Sequence, residues 1–336
     1  MVVGKTKLGG LSGISYDSSS KTLWAVSDDS AYAGGAPRIY QLSLKLGDSL
    51  QPKILGVLLL RDETGKPFPV ADCEGIACTG KGTVWISSEG RAGAKAAKPW
   101  VKLFSLATGR VIRTLPLPKI YLPTDVTGKL VPIGSPDQVH GVISNRSLES
   151  CALSPDHRTL YIANESALAQ EKAPGENVEG GAGVFNPTQV RISAIDTKTG
   201  GCLAQKLYIS DPGCFFGSIS EVNPLDNAGT LLVLERRVVR MQLGTGSVGI
   251  RIYRVNLGQE TATDLREIPS VRNQSVTSLA KTLVYDSRAD GITDLDNIEG
   301  VGFVPLPSGR TGVVMVSDDN FDNDQETQIL LYELSN

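Results

Sequence analysis

The chain has 336 residues, of which 21% are charged and 6% are aromatic, and its formal net charge is −3. Without a basic excess there is no electrostatic surface for nucleic acid or an anionic membrane. No apolar run approaches the roughly 18 residues of a membrane-spanning helix. We therefore expect neither a nucleic-acid partner nor a membrane span.

One pattern occurs five times along the chain: a small or acidic residue, a short apolar strand, a turn, a Thr with a second apolar strand, and an acid at the exit. The copies begin at Ser12, Glu74, Glu149, Ser220 and Glu299. A third apolar run follows most copies, and a fourth follows some. Four antiparallel strands in each repeat predict an all-β fold, a β-propeller of four-stranded blades.

Five repeats are countable, so we expect five blades, or six if Ile120–Asn145 or Pro269–Asp290 builds a degenerate one. Partial 3.6-residue periodicity predicts one short helix over Ser275–Tyr285. Blade closure requires either Val2–Leu8 as a closing strand or a segment upstream of it. We expect residues 1–336 to form a single propeller domain and a monomer.

Cysteine and histidine chemistry is weakly represented, with five cysteines and two histidines. There is no Cys-x-x-Cys, so a structural zinc site is disfavoured and reduced thiols are expected. A Gly-x-Ser-x-Gly nucleophile elbow is also absent. Any hydrolysis must therefore use other groups.

Acidic residues are the remaining indication of a functional site in the sequence. In a propeller, the start of the first strand and the end of the second lie at the same face of a blade. The expected acidic residues there are Asp28, Asp29, Glu74, Glu89, Glu149, Glu165, Glu235, Glu299, Asp318 and Asp319. Carboxylate oxygens without soft donors suit Ca²⁺ or Mg²⁺, whereas the alternative is that such acids cap turns or pair with arginines.

Arginines follow several of these acidic exits: Arg38, Arg91, Arg236 and Arg237. A planar guanidinium group beside a hard cation suits a phosphate or carboxylate ligand. We therefore interpret these four residues as candidate substrate-binding groups.

The motifs in chain order resemble the phytase-like propeller family, described as esterase-like activity of phytase. They are Leu8–Ile14, Ser27–Asp29, Asp72–Ile76, Asn145–Glu149, Leu234–Arg236, Asp296–Gly300 and Ser317–Phe321. The resemblance implies ester or phosphoester hydrolysis on a calcium-dependent propeller, and a secreted or periplasmic location. Met1–Leu8 has no apolar core of signal-peptide length, so the compartment stays open. Ser150-Cys151 also departs from the Gly that follows the other acidic starts.

The function implied by this resemblance is metal-assisted hydrolysis of a small phosphomonoester or related ester. The expected metal ligands are Glu74, Glu299, Asp28, Asp318, Asp319 and Glu149, with Ca²⁺ favoured over Mg²⁺, and Glu235 or Glu89 would act as the general base. Two alternatives remain open. One is a non-catalytic propeller scaffold with structural calcium, and the other is a lactonase or carboxylester hydrolase.

Overall fold

The computed structural model of the chain describes residues 1–29, 35–45, 50–69, 71–94, 96–172, 187–214, 216–242 and 245–334. The fold is all-β, a five-bladed propeller of antiparallel sheets. Within these ranges, helical structure is confined to two 3₁₀ turns, Lys119–Tyr121 and Ala169–Glu171. No helix in the described ranges is long and apolar enough to cross a membrane.

Two short strands precede the blades: β1 (Val2–Val3) and β2 (Thr6–Lys7) pair with each other. Blade 1 consists of β3 (Leu11–Asp17), β4 (Thr22–Ser27), β5 (Arg38–Lys45) and β6 (Gln51–Leu59). Blade 2 consists of β7 (Cys73–Cys78), β8 (Thr83–Ser88), β9 (Trp100–Ser105) and β10 (Val111–Leu115).

The remaining blades follow in the same order. Blade 3 consists of β11 (Leu148–Leu153), β12 (Thr159–Asn164), β13 (Gln189–Asp196) and β14 (Cys202–Ile209). Blade 4 consists of β15 (Phe216–Pro224), β16 (Thr230–Gln242), β17 (Thr245–Asn256) and β18 (Thr282–Asp286). Blade 5 has three strands, β19 (Asn297–Pro305), β20 (Thr311–Asp318) and β21 (Ile329–Glu333).

The chain divides into two compact units. The first comprises Met1–Ser88, Trp100–Leu115 and Asp296–Asn336, and the second comprises Glu89–Pro99 and Pro116–Leu295. In the first unit, β3 packs against β7 and β19, and its core includes Leu11 and Val316.

In the second unit, β11 and β12 pack against β15. Its core joins side chains of blades 3 and 4, including Tyr161, Val190, Ile219 and Val233. Alternating β-branched and aromatic residues supply these cores, because successive strand side chains point to opposite faces of a sheet.

The expected helix over Ser275–Tyr285 is wrong. The backbone N–H of Leu279 bonds to the Leu207 carbonyl of β14 at 2.8 Å, and the chain then enters β18. Leu279 and Val276 are buried or half-buried against blade 3, whereas the periodic partner Leu283 is exposed on the edge strand. Packing on a neighbouring blade, rather than one helix face, explains the apolar spacing.

The described residues contain no sixth blade, and five is the count. Pro269–Asp290 contributes β18 to blade 4, and Ile120–Asn145 forms part of one 3₁₀ turn and isolated bridges such as Thr124 with Leu130. Val2–Leu8, one of the two alternatives for closing the ring, does not add a strand to a blade, because β1 and β2 pair with each other. All five cysteines are free thiols, as expected.

Candidate functional site

A β-bulge interrupts the first strand of every blade at the same register. In blade 3, for example, Leu148 pairs with Asn164 and Ser150 with Ala163, so Glu149 is the extra residue. The bulged positions of blades 1 to 5 hold Ser12, Glu74, Glu149, Ser220 and Glu299. A bulge turns a side chain away from the regular alternation of a strand. The glutamates of three blades therefore share one structural position.

Each bulge has a matching position on the second strand, which we call the exit position. The last residue before the bulge pairs with a residue of the second strand, and the exit position is the next residue along that strand. This position holds Asp28, Glu89, Glu165, Arg236 and Asp318 in blades 1 to 5. In blade 4 the sequence analysis placed Glu235 there, which is a register error. Ile219 pairs with Glu235, so Arg236 is the equivalent residue. Blade 4 thus replaces an acid with a base.

Three carboxylates converge in the second unit. One oxygen from each of Glu89, Glu149 and Glu165 lies within 4.8 Å of the other two. Glu89 and Glu165 are buried and Glu149 is half-buried. Ser147 connects two of them: its backbone N–H donates to Glu89 Oε1 at 2.6 Å, and its carbonyl accepts from the Glu165 N–H at 2.7 Å.

Two arginines approach the same carboxylate. Arg236 Nη2 lies 2.9 Å from Glu165 Oε1, and Arg146 Nη1 lies 3.2 Å from the same atom. Both arginine side chains keep some exposure, at 11% and 20%, whereas the Glu165 side chain is 2% exposed. Arg146 was not among the residues expected from the sequence, although it stands in the Asn145–Glu149 motif that ends at a bulge.

A second acidic group lies in the first unit, around Asp28. Its Oδ1 is buried and accepts no hydrogen bond from the described residues. Burial raises the pKa of Asp28 to about 10, with further contributions from the charges of Asp318, Glu299, Asp72 and Asp29. Carboxylates this close repel one another unless a proton or a cation intervenes.

The two acids of blade 5 meet at an asparagine. Asn297 Nδ2 donates to Glu299 Oε1 at 2.9 Å and lies 3.5 Å from Asp318 Oδ2. Asp319, expected as a further ligand, is instead used within the fold. Its Oδ1 accepts from the Gly10 N–H at 2.9 Å, and its Oδ2 accepts from the Thr327 hydroxyl at 3.0 Å. Glu74 is buried in the bulge of β7.

Arg38 is completely buried. Its guanidinium bonds Asp29 Oδ2 at 2.8 Å, the Tyr40 hydroxyl at 2.6 Å and the Lys7 carbonyl at 2.9 Å. These contacts fix β2 and the exit of β4 to β5. The substrate-binding role expected of Arg38 stays a prediction, and these buried contacts do not favour it.

Glu235 is also held inside the protein. Its Oε1 accepts hydrogen bonds from the Tyr208 hydroxyl and the Lys281 ammonium, each at 2.7 Å. The Asp211 N–H lies 3.2 Å from both carboxylate oxygens. The network joins blade 3 to blade 4, so we do not carry the expected general-base role of Glu235 forward.

The other two candidate arginines, Arg237 and Arg91, have contacts of their own. Arg237 Nη2 donates to the Pro212 carbonyl at 2.7 Å, and its Nη1 lies 4.0 Å from Asp211 Oδ2. Arg91 is half-buried and pairs through its backbone with Ala97. Among the four arginines expected to bind substrate, Arg236 pairs with a member of the three-carboxylate group, Glu165.

The family comparison covers nearly the whole chain. The model of the phytase-like family, described as esterase-like activity of phytase, matches residues 6–321. No curated protein matches the chain in sequence.

Solved structures resemble the chain only distantly. Hydrazine synthase of Kuenenia stuttgartiensis has 9% identity and a TM-score of 0.39, over 94% of this chain and 78% of that one. Bacteroides ovatus xyloglucan PUL GH43B has 12% identity and a TM-score of 0.45, over 98% and 53%. A chain of the mitotic checkpoint complex has 8% identity and a TM-score of 0.36, over 98% and 89%.

Proposed function

The chain belongs to the phytase-like family, and from this premise we propose that it is a Ca²⁺-dependent hydrolase of phosphomonoesters or related esters. The observation that carries the proposal is the group of Glu89, Glu149 and Glu165, with Arg146 and Arg236 on its edge. Carboxylates and guanidinium groups side by side are the combination that a cation and an anionic substrate require.

The donor set fits calcium. Ca²⁺ binds oxygen ligands at about 2.3–2.6 Å, so two ligands on opposite sides of the ion lie roughly 5 Å apart. The oxygens of Glu89, Glu149 and Glu165 meet this limit without rearrangement. In the first unit, the buried and unbonded Oδ1 of Asp28 beside Glu299 and Asp318 is a second fit, since a cation would remove the mutual repulsion.

When bound, calcium would polarise the ester and lower the pKa of an attacking water. The protein supplies the rest. Arg236 and Arg146 would hold the anionic group and stabilise charge that develops in the transition state. Besides offering one of its two oxygens to the ion, Glu89 is our candidate for the group that accepts the proton of the attacking water, because the Ser147 N–H orients its carboxylate through Oε1 at 2.6 Å. The fixed orientation lowers the reorganisation needed for proton transfer.

A substitution test follows. Hydrolysis of p-nitrophenyl phosphate and p-nitrophenyl acetate would be measured with calcium and with chelator, for the wild type, Glu89→Gln and Glu63→Gln. We expect activity to require calcium and to fall by about 10²–10⁴-fold in Glu89→Gln. Glu63, whose side chain is 61% exposed, is the matched control. Activity that survives both chelator and Glu89→Gln contradicts the proposal, and calcium binding without turnover supports the scaffold alternative.

A further inference from the structure

Arg236 occupies the exit position that is acidic in the other four blades, and it does not point its charge at solvent. Its guanidinium bonds Glu165 and lies 3.5 Å from the Ser218 hydroxyl. Arg146, from the loop before β11, reaches the same Glu165 oxygen. Two cations from different blades thus share one carboxylate, and that carboxylate is one of the three that fit a cation.

A fully buried hydroxyl lies within the same group. Ser147 has 0% exposure, its backbone bonds both Glu89 and Glu165, and its Oγ has no hydrogen-bond partner in the described part of the chain. A buried polar atom without a partner is uncommon, and a water or ion bound beside it is one explanation.

Glu165 cannot pair with the two arginines and bind a cation equally well at the same time. While Arg146 and Arg236 neutralise Glu165, a cation at the carboxylates meets two positive guanidinium groups. Once an anion takes over the guanidinium groups, Glu165 regains its full charge beside Glu89 and Glu149. Guanidinium groups bind phosphate oxygens in a bidentate manner, so phosphate competes well with a single carboxylate.

We propose that Arg146 and Arg236 form a transferable clamp, which holds Glu165 in the absence of substrate and moves to the phosphoryl group when substrate binds, thereby freeing Glu165 for calcium. This inference rests on the proposed function and deepens it. It selects phosphomonoesters over uncharged esters, because only an anionic group releases the clamp. It also makes Arg236 a specificity-determining residue.

Binding linkage tests the clamp without reference to turnover. If phosphate frees a calcium ligand, phosphate and Ca²⁺ must each strengthen the binding of the other by the same factor. Calorimetric Ca²⁺ titrations would use inorganic phosphate below the precipitation limit as the probe, with sodium chloride at equal ionic strength as the reference. We expect phosphate to tighten calcium binding about 10-fold, within the usual range of such couplings.

Two variants sharpen the test. Arg236→Gln should bind Ca²⁺ several-fold more tightly than the wild type in the absence of phosphate and should lose the coupling. Arg237→Gln is the matched control, since Arg237 bonds the Pro212 carbonyl instead, and it should keep the coupling. Circular dichroism would verify that both variants are folded.

The outcomes separate this inference from the proposed function. Calcium binding that phosphate leaves unchanged, or that Arg236→Gln weakens, overturns the clamp even if calcium-dependent hydrolysis is intact. Coupling that disappears only in Arg236→Gln supports the clamp whatever the rate of turnover. Absence of calcium binding under every condition overturns both.

Discussion

Glu221 should make the protein less stable as pH rises. The residue is 2% exposed in β15, beside the bulge of blade 4. Burial raises its pKa well above the usual value of 4.5, even though the Ser150 hydroxyl and the Val222 N–H donate to its Oε1. Between the usual and the raised pKa, the carboxyl group therefore stays protonated in the folded state and ionises in the unfolded state.

The sign of the change in stability with pH follows from the number of protons that each state binds. The folded state binds one more proton than the unfolded state between the two pKa values, so this contribution is complete below the unfolded pKa and declines as pH rises toward the folded pKa. The decline is about 1.4 kcal/mol per pH unit for one proton. Glu221→Gln keeps the shape and removes the titration. Its stability relative to the wild type should therefore rise by roughly 1 kcal/mol from pH 5 to pH 6.

Urea denaturation at several pH values measures this difference directly, and Glu63→Gln on the surface is the control. For the control the difference from the wild type should change little above pH 5. A Glu221→Gln difference that stays flat with pH would refute the reasoning, since it would mean that Glu221 is ionised in the folded protein.

Two further substitutions test the supporting structure. Arg38→Met should lower the free energy of unfolding by about 3–5 kcal/mol, because it removes the guanidinium group that pairs with the buried Asp29 carboxylate. Urea denaturation checks this, and adding Asp29→Asn should recover part of the loss. Gly10→Ala should both destabilise the fold and weaken calcium binding, because Gly10 has φ +64° and a Cβ there would lie 2.1 Å from Asp28 Oδ1. Gly291→Ala, at φ +75° with no atom within 4 Å, should show only the backbone strain, and equal calorimetric effects for the two alanines would contradict the steric argument.

The sequence predicts the blades well because each hairpin is encoded locally. The Thr that begins a second strand and the apolar run after it recur in every copy, and alternation identifies the buried face. The helix expected near residue 280 failed for the opposite reason. Leu279 gains its burial from a neighbouring blade, which no local pattern records.

The site was predicted less well, because a bulge shifts register by one residue. Glu235 and Arg236 are adjacent, and strand pairing shows that Arg236 stands at the exit position. A signal was present: six residues after Thr22, Thr83 and Thr159 come acids, whereas six residues after Thr230 comes Arg236. The burial of site residues was also not predicted, because the sequence does not show that Arg38 is bonded to Asp29 inside the fold.

The central claim is that carboxylates of this propeller bind the calcium that supports ester hydrolysis. Samples of the wild type and of Glu149→Gln would first be freed of calcium with a chelator and then titrated with Ca²⁺. Calorimetry would give the occupancy of the calcium site, and the rate of p-nitrophenyl phosphate hydrolysis would be measured in parallel. The account predicts that the rate rises in proportion to occupancy, and that Glu149→Gln shifts both curves to higher calcium. A full rate before any calcium binds, or saturation with no hydrolysis, would contradict it.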